Sequence, residues 1–407
     1  MQQDRPPTVR WLTASVCAAF LVYACTPTLL AVSLKTIGED LGLDYGQQGA
    51  LVLVRAAALG AMTLLAGFLA DRWGKHLILT GAMFLAAAGM VCVGHSAGLA
   101  GLLTGIIITS VGLGGLEALN GALVSDLYPH AVDSHVNLVY AFYPCGVVAS
   151  SLAVGAALDA GVHWRVPFAL LAVPAVLVMA MYWLGRYPVA RPTAGGRPLT
   201  VGRIVANPRF WLLTVSMLLT AGTMGSMVYW GPSFLQDVYG ASGKGSSAAL
   251  AGFMVAMAVG RFGTGAATRV APLLRIMLAM AVLAAACTAV IVVVDSLPVT
   301  LVVYVVAGLG IACFWPGLVA LGVGRIGAGS TTLLAMISSA GILGFGFIPA
   351  GVGLLAARCD LRAALGICPA AMAATAALLA ALAFLDGRAT DPSRRPPSGA
   401  TGSAPPA

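Results

Sequence analysis

Three ionisable side chains fall inside long apolar runs of this chain: Arg55, Glu117 and Arg261. Glu117 lies in SVGLGGLEALNGALVSDLYP (110–129), and no other Asp, Glu, Lys or Arg occurs between Lys75 and Asp126. A carboxylate in such surroundings can accept hydrogen bonds or exchange a proton. A guanidinium cannot discharge and must find an anion, a carbonyl or water. Each charge costs about 2.5–3.5 kcal/mol at the centre of a membrane helix, so each needs a reason to be there. Asn120 follows Glu117 by three residues and shares its helix face. With Asn137, Tyr140, Tyr143, Tyr229, Trp230 and Trp315 it completes a set suited to sugars, in which aromatic rings stack and amides or carboxylates take hydroxyls. Structural readings stay open beside the functional ones. Glu117 can be a neutral acid bonded within its bundle, and Arg55 can snorkel to an interface. Arg261 can form a structural pair, Asn137 can cap a helix, and the aromatic residues can belong to interfacial belts.

The elements that must position these residues follow from composition. The chain has 407 residues, of which 59% are hydrophobic and 9% charged, with a mean hydropathy of +0.94. Soluble domains carry about a quarter charged residues, so a water-facing surface cannot be built from this sequence. An integral membrane protein is expected. Apolar stretches long enough to cross about 30 Å of hydrocarbon run near 12–34, 48–70, 77–95, 99–124, 136–158, 166–184, 208–235, 247–268, 274–294, 298–324, 330–356 and 363–385. Their length makes them helices, since a barrel would show alternating segments of about ten residues. The first is too long for a signal-peptide core and runs into further membrane, so it is read as uncleaved.

Of the 22 Lys and Arg, fifteen fall in one set of loops and tails and five in the other. The richer side, with both termini, is expected in the cytoplasm of a cell (inner) membrane protein. The net charge of +8 is thus spread over short loops, and no nucleic-acid partner is expected. The sequence divides into an N-terminal segment 1–11, a six-helix bundle 12–184, a Pro-, Gly- and Arg-rich linker 185–207, a second bundle 208–385 and a tail 386–407 of disordered composition. Two bundles joined by a cytoplasmic loop suit a transporter whose halves rock about a central site.

Gly67-Phe68-Leu69-Ala70-Asp71-Arg72-Trp73-Gly74-Lys75 resembles the loop signature of the major facilitator superfamily, at its expected place between spans two and three. The resemblance covers nearly the whole chain and implies a twelve-helix, all-α fold in two six-helix bundles. It also implies a gating role for Gly67, Asp71, Arg72, Gly74 and Lys75. Asp71 would cap a neighbouring helix end in the outward-open state, and the basic residues would hold the inner face shut. Within that family the chain is similar to the fucose/galactose/hexose permease branch. The matching stretches are Gly112–Asn120, Val136–Gly146, Trp230-Gly231-Pro232 and Gly308–Pro316. Acidic residues frequent in spans one and seven of that branch have no counterpart here, where Thr26-Pro27-Thr28 and Met224 stand.

These readings together predict a secondary transporter of a small polar solute, most simply a sugar or polyol, with protons as the candidate coupling ion. An anion held by Arg55 and Arg261, and efflux of an amphiphilic compound, are the rivals. A non-transporting sensor on the same scaffold is a third. No enzyme motif, cofactor or metal site is expected: Gly243-Lys244 lacks the spacing of a phosphate loop, and the eight cysteines contain no Cys-x-x-Cys pair. The partners expected are the solute and the bilayer, around a monomer.

Overall fold

The computed structural model describes residues 7–128, 135, 139–140, 142–187, 201–326 and 331–389. Among them lie twelve helices long and apolar enough to span a membrane and no strand. They are α1 (Pro7–Leu41), α2 (Tyr45–Trp73), α3 (Lys75–Gly94), α4 (Leu99–Leu127), α5 (Phe142–Asp159) and α6 (Arg165–Leu184). After a short helix, Val201–Val205, come α7 (Pro208–Tyr239), α8 (Gly243–Ala267), α9 (Leu273–Val293), α10 (Leu297–Ile326), α11 (Thr331–Ala356) and α12 (Leu361–Asp386).

Several helices overrun the apolar stretches that announce them. α1 extends through Lys35, Glu39 and Asp40, because hydropathy marks the hydrocarbon and a helix continues past it while its side chains find partners. α10 is broken after Ile311 and resumes at Phe314. Pro316 explains the break, since its ring clashes with the carbonyl four residues back, that of Ala312. The start of the fifth predicted span, most of the predicted linker and nearly all of the tail lie outside the described residues.

The first six helices form one bundle and the last six another. α3 packs on α4 and α6, and α2 on α4. In the second bundle α7 packs on α11, α9 on α12, and α10 on α8 and α9. Backbones meet where side chains are small: a Cβ on Gly112 would press on the α3 backbone at Ala86, and one on Gly308 on the α8 backbone at Phe253. Helix ends are set locally. Asp44 and Gln47 form a reciprocal capping box at α2, and Ser242 and Asp360 cap the starts of α8 and α12. Gly74, at φ 84°, makes the tight turn from α2 to α3.

We call the face at which α1 starts and α12 finishes the linker face, and its opposite the far face. The two lobes meet towards the far face. Gly49 of α2 lies so close to α11 that a Cβ would sit 3.1 Å from the Ala350 carbonyl. Lys35 of α1 forms an ion pair with Asp237 of α7 at 2.6 Å, and Tyr45 donates to the other oxygen of that carboxylate, also at 2.6 Å. Asp159, at the end of α5, accepts from the Lys244 amide in the first turn of α8 at 2.8 Å. Towards the linker face α2 and α8 present Phe68 and Phe262, 77% and 78% exposed, and Gly67 has open space around it.

Candidate transport site

A polar cluster occupies the space between the lobes, built from six helices. Glu117, late in α4, is half-buried. Its carboxylate lies within hydrogen-bonding reach of the Tyr23 hydroxyl of α1. Tyr140 interacts with the same carboxylate and rests on Phe20, ring centroids 4.4 Å apart. Tyr143 of α5 packs 5.9 Å from the Tyr23 ring and lies in electrostatic range of Arg55, Glu117, Tyr229 and Arg261. One tyrosine thus lies in electrostatic range of all three of the intramembrane charges.

Arg55 does not snorkel. It is 6% exposed and sits beside Tyr229 of α7, which is itself held edge-on by Phe345. Arg55 Nε and Tyr229 Oη are nevertheless buried without a hydrogen bond of normal geometry, and so is Arg261 Nε. Arg261 lines a narrow cavity of the second lobe with Met217, Thr220, Met224, Met257 and Trp315. Neither arginine forms an ion pair among the described residues. The centre therefore presents one carboxylate, two unneutralised guanidinium groups and several tyrosine hydroxyls, an array able to donate to and accept from a polar solute.

Other predicted residues lie elsewhere. Asn120 is 1% exposed and accepts from the Tyr182 hydroxyl of α6 at 2.7 Å. Three residues along a helix is a rotation of about 300°, enough to turn Asn120 into its own bundle while Glu117 faces α1 and α5. Trp230 is buried nearer the far face, where it donates to the Pro349 carbonyl at 2.8 Å and stacks edge-on with Tyr45. Trp315 is on the cavity wall, and Asn137 lies outside the described residues. In the gating motif Asp71 and Arg72 are exposed, while Lys75 ties the start of α3 to the end of α4 through Asp126 at 2.5 Å.

Tyr23 is the member that sequence reasoning passed over. Its signal was a phenol in an apolar span, which must find a polar partner. The Lys35–Asp237 contact was equally hidden, since the residues come from different lobes.

The sequence model of the Major Facilitator Superfamily matches residues 14–332. The chain belongs to that superfamily. It is a family of transporters, and the chain is not an enzyme. Among curated relatives, myo-inositol transporter 3C of Cryptococcus neoformans is 30% identical over 178 residues, covering 42% of this chain and 30% of that protein. Myo-inositol transporter 2 of Schizosaccharomyces pombe is 23% identical over 184 residues, 44% of this chain and 33% of that protein. The matches thus span about a third of the length of these relatives. Among solved structures, a bacterial homologue of the human lysosomal transporter Spinster, inward-facing and unoccupied, superposes with a TM-score of 0.78 at 18% identity, over 97% of this chain and 100% of that one. The E. coli fucose:proton symporter gives 0.62 at 18%, over 90% and 97%. These likenesses fix the major facilitator fold: an all-α, multi-pass membrane protein of two six-helix bundles.

Proposed function

We propose that this major facilitator moves a small sugar or polyol across its membrane by alternating access, binding it between the lobes at Glu117, Tyr140, Arg55, Arg261 and Trp315. The observation that carries the reading is the Tyr23–Glu117 pair packed beside Tyr143, which lies in electrostatic range of both arginines. Hydroxyls on neighbouring carbons both donate and accept, and this array offers partners for both. The partial likeness to myo-inositol transporters supports the same class. A simple inorganic anion would engage the arginines and leave Glu117 opposed to it.

The linker face is cytoplasmic, from the excess of basic residues there, which puts both termini inside a cell membrane. The contacts across the far face then fit an inward-facing state, in which the gating motif is released and Asp71 and Arg72 stand exposed. Glu117 is the group through which a proton gradient would couple, with substrate and proton reaching it in turn as access alternates. The protein acts as a monomer of two lobes, 12–184 and 208–385, joined by the 185–207 linker.

Uptake into proteoliposomes tests the reading. With Glu117→Gln we expect myo-inositol or sugar uptake to fall at least tenfold and its stimulation by an inward proton gradient to vanish. Wild-type rates with unchanged pH dependence in that variant would remove Glu117 from both roles.

A further inference from the structure

The charges between the lobes do not balance. Arg55 and Arg261 remain cationic in any protein environment, and Glu117 supplies at most one negative charge. Among the described acids of the far face, Asp237 is paired with Lys35 and Asp40 with Arg165. On the linker face Asp126 holds Lys75, and Asp386 holds Arg209 and Arg325. Among the described residues at least one positive charge is thus left over in a water-poor centre, where an uncompensated ion is strongly disfavoured. The atoms that lack partners tell the same story, because Arg55 Nε, Arg261 Nε and Tyr229 Oη can all donate. They belong to helices of both lobes, α2, α7 and α8, and Tyr143 lies in electrostatic range of both arginines and of Glu117.

We propose that the solute is a polyhydroxylated monocarboxylate, a sugar acid rather than a neutral sugar. The inference rests on the polyol reading above and adds one charge to it. With Glu117 ionised, a single carboxylate brings the centre to neutrality, and its planar pair of oxygens matches a guanidinium fork. A phosphate ester, at −1.5 to −2 near neutral pH, overshoots. A neutral polyol leaves the surplus in place. In the occupied state the carboxylate bridges the arginine side of the site while the hydroxyls engage Glu117 and the tyrosines, so that the solute itself draws the two lobes onto a common ligand.

Competition and uptake in proteoliposomes test this, with radiolabelled D-gluconate against myo-inositol, glucose 6-phosphate and lactate. We expect gluconate to be preferred over myo-inositol at least tenfold, and Arg261→Gln to reduce that ratio at least tenfold. Myo-inositol taken up as well as gluconate by the wild type overturns the inference and leaves the polyol reading standing. Preference for glucose 6-phosphate overturns the single-charge match. Lactate handled as well as gluconate removes the need for hydroxyls and overturns both, as does a panel in which nothing is transported or raises the thermal stability of the purified protein. The wild-type ratio decides even if the variant fails to fold.

Discussion

Glu117 and Asn120 stand one helical turn apart and do different work. The carboxylate looks into the space between the lobes, whereas the amide is locked to Tyr182 inside the first bundle. Removing that phenol tests the separation. Tyr182→Phe leaves the Asn120 oxygen unpartnered, beside an Asn120 nitrogen that already lacks a partner. We expect a stability loss of about 1–3 kcal/mol, read as a lower melting temperature in detergent, with the solute KM unchanged. A raised KM at unchanged stability would instead bring Asn120 to the solute. The intramembrane charges were legible in the sequence because a charge in hydrocarbon is costly and stands out. Tyr23 was not, since a tyrosine is at home in a membrane span and its hydroxyl reveals its use only when Glu117 is brought beside it. The aromatic residues divided the same way. Trp230 spends its one donor on the Pro349 carbonyl, and nothing local in its sequence distinguishes it from Trp315, which reaches the cavity wall.

At the scale of elements, the far-face closure hangs on Asp237, whose two oxygens are taken by Lys35 of α1 and Tyr45 of α2. Both partners come from the opposite lobe, so separating the lobes breaks both contacts at once. Lys35 and Asp237 are only 28% and 20% exposed, and the pair is worth roughly 1 kcal/mol, a factor of about five in population. Asp237→Asn keeps the shape and removes the charge. Spin labels at Glu39→Cys and Ala357→Cys, with the exposed Cys145 and Cys359 replaced, should report a larger outward-open fraction in that variant. An unaltered distance distribution would show that α2–α11 packing at Gly49 closes this face without the ion pair. Hydropathy located all twelve elements but not their ends or their breaks. The break in α10 had a written cause in Pro316, yet Pro27, Pro174, Pro232 and Pro349 stand inside continuous helices. Whether a proline interrupts a helix depends on neighbours that re-satisfy the freed carbonyls, and those neighbours are tertiary.

For the whole molecule, the division into two six-helix bundles was readable from loop composition, because charge and turn chemistry act over short range, and the proposed membrane orientation rests on the same loops. The state of the transport cycle was not, since both states share one sequence and differ in which ends of the lobes touch. The orientation has a direct check. Cysteine placed at Asp71, exposed on the linker face, should react with a membrane-impermeant maleimide only when the reagent has access to the cytoplasmic side. Cysteine at Glu39 should react from the other side. Reversed labelling would invert the assignment of the faces and with it the inward-facing state.

The reach of Asp159 across to the Lys244 amide has a consequence for the start of α8. The first amides of any helix have no partner of their own, and here one is satisfied by a carboxylate belonging to the other lobe. When the far face opens, that amide is handed to water, and Ser242 alone is left to hold the turn. On the alternating-access reading, each transport cycle is expected to include a small local melting and re-forming of one helix end. The deuterium uptake of that turn keeps time with access to the far side, and a solute that holds the protein in one state slows or speeds the clock.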